Sequence, residues 1–186
     1  MSKEKLLIIG AGGLGRVVLE HAINKYNCSF IDDNCVDDCV CGHKVVGKVK
    51  DLSRYKDEYK NAIIAIGDNK TRQKIAEIAK MIGYNLINIY ANNVYISPFS
   101  EVGKGCIFLN NVSVQNGSIV KDGVILCHGV EVHHDSYVGN YVLIYTNSVI
   151  RTYARVNDGA KIGSNCTVKN ESIIQNEFIV DDGMVI

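Results

Sequence analysis

The sequence predicts a chain in two parts: a Rossmann-like α/β domain over residues 1–90 and a parallel β-helix of hexapeptide repeats over residues 91–186. Three observations predict it. A glycine loop, Gly10-Ala-Gly-Gly-Leu-Gly15, follows an apolar run and opens a helical pattern. Strand-like and helix-like segments alternate up to about residue 90. From Ile96 onward, every sixth residue is apolar without a slip.

The first part reads element by element. Lys5-Leu-Leu-Ile-Ile-Gly10 is a short apolar run, as a strand buried on both faces should be. Leu14, Val17, Val18, His21 and Ala22 fall at i, i+3, i+4, i+7 and i+8, which gives a helix with one apolar face. Ser29-Phe-Ile-Asp-Asp33 is a second strand ending in two carboxylates, and Asn61–Ile66 is a third. After Gly67-Asp68-Asn69 a further helix carries Ile75, Ile78, Ala79 and Ile82 on one side, and residues 85–89 close the set. Strand, helix, strand at these lengths gives a small parallel sheet with right-handed crossovers.

The second part has a period of six. The residues at 96, 102, 108 and onward to 186 are sixteen apolar residues of the Ile, Val, Leu and Phe types. At 47% apolar composition, such a run has a chance on the order of 10⁻⁵ in a given frame, so the period is real. Four positions after each the side chains are mostly small, as at Ser118, Val130, Ser136 and Ala154. Three positions after come residues tolerant of positive φ, among them Gly105, Asn111, Gly117, Gly123, Gly129, Asn147, Gly159 and Asn165. A short strand and a tight turn, repeated at one fixed length, make a β-helix.

Composition narrows the function. Of 186 residues, 47% are hydrophobic and 22% charged, and Lys+Arg and Asp+Glu are 20 each. A neutral chain without a basic run offers no footprint for nucleic acid or an anionic membrane, and no apolar stretch is long enough to span a bilayer. Met1-Ser-Lys-Glu-Lys5 runs straight into the first strand, the expectation for a cytoplasmic chain without a cleavable signal. Seven cysteines, four of them Cys28, Cys35, Cys39 and Cys41, invite a zinc reading, but structural sites pair two C-x₂₋₄-C units and only one imperfect unit is present. Free thiols and no metal are expected.

Two places could carry chemistry. In the glycine loop, Gly10, Gly12 and Gly13 let backbone N–H groups approach a diphosphate at a helix N-terminus. Asp32 and Asp33 follow about 20 residues later, where a ribose hydroxyl is often held. About 90 residues are half of a dinucleotide fold, so a mononucleotide or nucleotide sugar suits the size better than NAD. The second place is Val132-His-His-Asp135, with His128 nearby in sequence. A neutral imidazole, His134, oriented by the adjacent carboxylate of Asp135, can take a proton from an attacking amine or hydroxyl.

These residues resemble the NeuD/PglD-type sugar O- and N-acyltransferases of the hexapeptide-repeat superfamily. The resemblance covers nearly the whole chain and runs through residues 8–18, Phe30-Ile-Asp-Asp33, residues 64–72 and residues 132–139. It implies a left-handed β-helix, a homotrimer with acetyl-CoA between adjacent β-helices, and an acceptor that is a nucleotide-linked sugar or sialic acid in surface-glycan biosynthesis. It makes His134 the general base and Asp135 its acidic partner. It gives the nucleotide to the Gly10–Gly15 loop, Asp32, Asp33 and the Gly67–Asn69 turn, with Arg72. It needs no metal. The chain departs from the pattern at Leu14 and Leu143, where histidines are usual, at Cys127, where an asparagine is usual, at His133, and at Arg151-Thr-Tyr153, where a glycine turn is usual. The expected reaction is direct acetyl transfer to a sugar amine or hydroxyl, with an acyl-enzyme on Cys127 as a minor route. The competing expectation is a catalytically silent nucleotide-sugar-binding trimer with a scaffolding role, favoured by the replaced histidines.

Overall fold

The computed structural model describes residues 3–35 and 37–186. The chain divides into two compact units, residues 1–89 and 90–186.

The first unit runs β1 (Glu4–Ile9), α1 (Gly13–Ala22), β2 (Tyr26–Ile31), β3 (Cys39–Val40), β4 (His43–Gly47), α2 (Leu52–Tyr55), β5 (Asn61–Ile64), α3 (Asn69–Ile82) and β6 (Asn85–Leu86). Its sheet has the order β3-β4-β2-β1-β5-β6. Central β1 pairs in parallel with both β2 and β5, and its Leu6, Leu7, Ile8 and Ile9 are fully buried, which is why the run does not alternate. In the register, Ile9 faces Ile31 on one side and Ile64 on the other. Three strands therefore end together, and the glycine loop, Asp32 and the turn at Gly67 leave the sheet from one edge. That edge, at the carboxyl ends of parallel strands, is where open α/β sheets hold ligands. Helix α3 is capped by Asp68, whose Oδ1 accepts the Thr71 N–H at 2.9 Å, and stops at Gly83 with φ 95°.

Two features differ from the sequence expectation. Strand β3 is antiparallel to β4, so the sheet is not wholly parallel. It carries Cys39, and Cys41 takes the turn beyond it at φ 47°. All seven thiols are free, and among the described residues no three His, Cys, Asp or Glu side chains gather as metal ligands. The strand expected over residues 85–89 is also split. Ile87 N–H donates to the Ala62 carbonyl, after which the chain leaves this sheet, and Ile89–Tyr90 opens the stack of the β-helix.

The second unit is a three-faced prism. Its strands are two residues long, recur every six residues, and pair in parallel with the strand 18 residues on: Ser113 with Glu131, Ile119 with Tyr137, Ile125 with Leu143. Three hexads thus complete one coil. From Phe108 to Val168 every period-six side chain is buried and points into one continuous core. The small residues four positions on, such as Val124, Val130, Ala154 and Ala160, fill the space inside the corners. From Gly105 onward each corner takes positive φ. Glycine and asparagine take it at the expected places, but Asp135, Tyr141, Tyr153, Glu171 and Glu177 take it as well. Side chains other than glycine rarely adopt that region without local compensation. Among the described residues no helix is long and apolar enough to cross a membrane.

Candidate active site

In the first unit the ligand-binding edge is built around Asp32. Its Oδ2 accepts the Ala11 N–H at 2.7 Å, and its Oδ1 accepts Asn34 and Cys35 N–H at 2.7 and 2.8 Å. Partial burial pushes this carboxyl up, but the three backbone donors outweigh it and hold the pKa below the ordinary value. Asp32 therefore fastens the glycine loop to the β2 edge, a role the sequence reading did not give it. Asp33 Oδ1 accepts the Val49 N–H at 2.8 Å.

The loop glycines fall into two groups. A Cβ on Gly10 would stand 2.7 Å from the Ala65 carbonyl oxygen, and one on Gly15 would stand 1.9 Å from the Gly10 oxygen. These two are glycine because the fold closes on them. A Cβ on Gly12, Gly13 or Gly67 would meet nothing within 4 Å, so the fold itself does not demand glycine there. Leu14, partly buried, lies in the first turn of α1. Arg72 behaves differently from expectation: it is 1% exposed, and its guanidinium donates to the Ile66 and Gly67 carbonyls at 2.9 and 3.1 Å and to Asn69 Oδ1 at 2.8 Å. Arg72 and Asn69 brace the turn from inside.

In the second unit His134 and Asp135 occupy one corner of the prism. His134 Nδ1 lies 2.9 Å from Asp135 Oδ2, and both side chains are about half exposed (52% and 45%). The corner backbone is pinned. His133 N–H donates to Ile150 and Asp135 N–H to Asn116. The His133 carbonyl accepts the buried Ser118 and Ser136 hydroxyls, and Gln115 Oε1 accepts the His134 N–H at 3.2 Å. One coil earlier, the equivalent of Asp135 is Gly117, and a Cβ there would stand 2.3 Å from Asp135 Oδ1. One coil later, Thr152 Oγ1 lies 3.2 Å from His134 Nε2, and the Tyr153 ring meets the imidazole edge-on at a centroid distance of 6.2 Å. At this kind of corner the N–H of the positive-φ residue bonds back to the preceding coil, as for Asn147 to His128 and Glu171 to Thr152. Among the described residues from Gly117 to Gly183, Tyr153 alone omits that bond, which would fall on the His134 carbonyl.

The other histidines separate. His133 Nε2 is engaged by Glu131 Oε2 at 3.2 Å, while His128 sits at the next corner of the prism, beside Asn147 rather than Asp135. Three histidines within seven residues are not one cluster. Cys127 lies at the His128 corner too, and burial pushes its thiol up to about 11, which removes the thiolate an acyl-enzyme would need at neutral pH. Gly117 and Gln115 were not singled out from sequence, and Thr152 and Tyr153 entered only as part of the Arg151–Tyr153 turn that departs from the family pattern. The signal was available: a coil of three hexads places residue i beside i ± 18, so 134 leads to 152 and 135 to 117 and 153.

Residues 5–79 match the model of the PglD N-terminal domain. The first unit therefore carries a PglD N-terminal domain, and the whole chain is similar to sugar acetyltransferases of that type. Among curated relatives, a GDP-perosamine N-acetyltransferase of Escherichia coli O157:H7 is 26% identical over 171 residues, 87% of this chain and 76% of that protein. The acetyltransferase domain of PglB from Neisseria gonorrhoeae is 28% identical and superimposes with a TM-score of 0.93, covering 99% of this chain and 91% of that one. The same domain bound to acetyl coenzyme A gives 0.89 over 99% of this chain and 96% of that one. PerB from Caulobacter crescentus, bound to CoA and GDP-perosamine, is 25% identical with a TM-score of 0.70, covering 95% of this chain and 91% of that one. With this PglD-type architecture the β-helix is left-handed, against the right-handed rule for ordinary crossovers.

Proposed function

We propose that the protein transfers acetyl from acetyl-CoA to an amino or hydroxyl group of a nucleotide-linked sugar, with His134 as general base. The observation that carries this is the His134 Nδ1···Asp135 Oδ2 contact of 2.9 Å on a pinned corner. A carboxylate at Nδ1 fixes the tautomer that leaves the Nε2 lone pair as the proton acceptor. Nε2 takes a proton as the acceptor attacks the thioester carbonyl, and Asp135 supports the imidazolium that forms. The tetrahedral intermediate collapses, the C–S bond breaks, and the proton returns from His134 to the departing CoA thiolate. The Tyr153 N–H, outside the corner ladder, is the candidate donor for the oxyanion. Cys127 takes no part, so transfer is direct.

The open glycines support a nucleotide at the first unit: Gly12, Gly13 and Gly67 leave backbone uncovered where a diphosphate would approach. Leu14 would line that site, Asp32 and Asp33 would present their remaining lone pairs to the ribose, and Asn69 and Arg72 would hold the Gly67 turn in place. Relatives that carry CoA, acetyl-CoA and GDP-perosamine support both ligand classes. A homotrimer suits exposed apolar side chains on the β-helix, including Phe99 (73%), Tyr153 (56%) and Ile173 (55%), and a cytoplasmic location is part of the same reading. The test is release of free CoA thiol from acetyl-CoA against UDP- and GDP-linked amino sugars and free sialic acid. Turnover with a nucleotide amino sugar is expected. Silence across the panel, with nucleotide sugar still binding, would favour the scaffold reading instead.

A further inference from the structure

We infer that Thr152 is a positioning residue for the base: its hydroxyl holds the unprotonated Nε2 of His134 and so keeps the imidazole neutral and correctly turned before the acceptor arrives. The inference rests on His134 being the base. It starts from the other end of the ring. With Asp135 accepting from Nδ1–H, Nε2 carries no proton, and the Thr152 Oγ1 at 3.2 Å must donate to it. One imidazole is thus held at both nitrogens by residues from successive coils. The place is unusual in its backbone too. Tyr153, next to Thr152, omits the ladder bond to the His134 carbonyl, although its φ of 60° is that of the other corners.

The chemical consequence has a sign. A donor to Nε2 stabilises neutral histidine and opposes the imidazolium, whereas Asp135 at Nδ1 favours the imidazolium. Thr152 therefore works against Asp135 and favours the neutral ring. The other charged or titratable groups around the ring are Tyr153, edge-on from the later coil, and the His133–Glu131 pair beside it. Arg151 belongs to the Thr152 turn, and Glu171 stands one coil further on, its N–H donating to the Thr152 carbonyl. None of these occupies Nε2. When the acceptor binds, its amine or hydroxyl replaces the threonine hydroxyl as the donor to Nε2, so Thr152 reserves the position that the reacting proton will take.

Thr152→Val removes the hydroxyl at nearly constant volume, and Thr152→Ser restores it. In the free protein, the ¹⁵N chemical shifts of His134 followed against pH report tautomer and pKa without any turnover. In Thr152→Val the His134 transition should move to higher pH, and Thr152→Ser should return it to the wild-type position. The acid limb of the kcat/KM profile for the acceptor should move to higher pH in the same way in Thr152→Val, with KM for acetyl-CoA unchanged. Identical His134 titrations in wild type and Thr152→Val would overturn the assignment. A pKa that moves as expected in a protein without turnover would uphold it and sink the acetyltransferase reading. A fully active His134→Ala would sink the general-base role on which the inference rests.

Discussion

Two corners of the same β-helix carry histidines and differ in almost everything else. At the His128 corner the ladder is closed: Asn147 N–H donates to the His128 carbonyl at 2.8 Å, and the imidazole has no hydrogen-bond partner among the described residues. At the His134 corner the equivalent bond from Tyr153 is missing, and the imidazole is held by Asp135 and Thr152. The repeat supplies the same positive-φ corner in both places. Chemistry comes from what the adjacent coils place around the ring, so counting histidines along the sequence does not find it.

The comparison breaks most simply by deletion. His134→Ala should lower kcat by about 10²–10⁴ with acetyl-CoA affinity little changed, the usual loss for a general base. His128→Ala should stay within about twofold of wild type, and His133→Ala should keep most activity because Glu131 engages it away from the reaction. Steady-state kinetics on the three variants decides this. A dead His133→Ala beside an active His134→Ala would shift the site by one residue.

A finer test uses glycine. Gly117 (φ 69°) and Gly129 (φ 67°) stand one coil before Asp135 and Asn147, and a Cβ on each would approach the next residue's Oδ1 to 2.3 and 2.4 Å. Alanine at either position should therefore cost similar stability, about 1–2 kcal/mol from the left-handed backbone alone. Only Gly117→Ala displaces the carboxylate that orients His134. It should lower kcat by up to about 10²-fold, as small misplacements of catalytic groups do. Gly129→Ala should lose stability and keep its rate. Equal rates in both, measured beside their melting curves, would remove Gly117 and Asp135 from the mechanism.

This contrast shows how far the sequence could be read. The period of six, the small corner residues and the loop–helix start at Gly10 are local patterns with an immediate steric cause, and each appears where it was expected. The β3–β4 hairpin was missed because Cys39–Val40 is two residues long and its pairing depends on a turn through Cys41 and Gly42, not on a hydrophobic period. Arg72 comes to the nucleotide site through the family resemblance alone; that its guanidinium turns inward onto the Ile66 and Gly67 carbonyls is something no one-dimensional pattern reveals. Thr152 required one further step, from a six-residue repeat to an 18-residue coil.

The open and closed glycines of the first unit extend the same test to ligand binding. Gly15→Ala drives a methyl into the Gly10 carbonyl and should destabilise the domain outright. Gly13→Val meets no protein atom at its Cβ, so its melting temperature should change little, by the ~1 kcal/mol scale of helix propensity at most. Its affinity for a nucleotide sugar, measured calorimetrically, should fall by about tenfold or more, because two methyl groups stand where a phosphate must approach backbone N–H groups. A Gly13→Val that binds as tightly as wild type would move the nucleotide away from this loop.

The smallest effect concerns acid. Asp32 has its carboxyl held below the ordinary range by the Ala11, Asn34 and Cys35 N–H groups, which outweigh its burial. A carboxylate depressed in the folded state stabilises the fold fully above its unfolded pKa of about 3.9, and that contribution is lost as pH falls through the lower, folded value. Asp32→Asn keeps an acceptor oxygen for some of those donors but cannot titrate. Its stability at neutral pH should be lower than wild type, and the gap should narrow as pH drops below about 4, where the wild-type carboxylate is itself becoming protonated. Denaturant melts at a series of pH values give the two curves. Parallel curves from pH 7 to pH 3 would mean that the carboxylate charge contributes nothing to tying the glycine loop, and that Asp32 is free to serve the ribose instead.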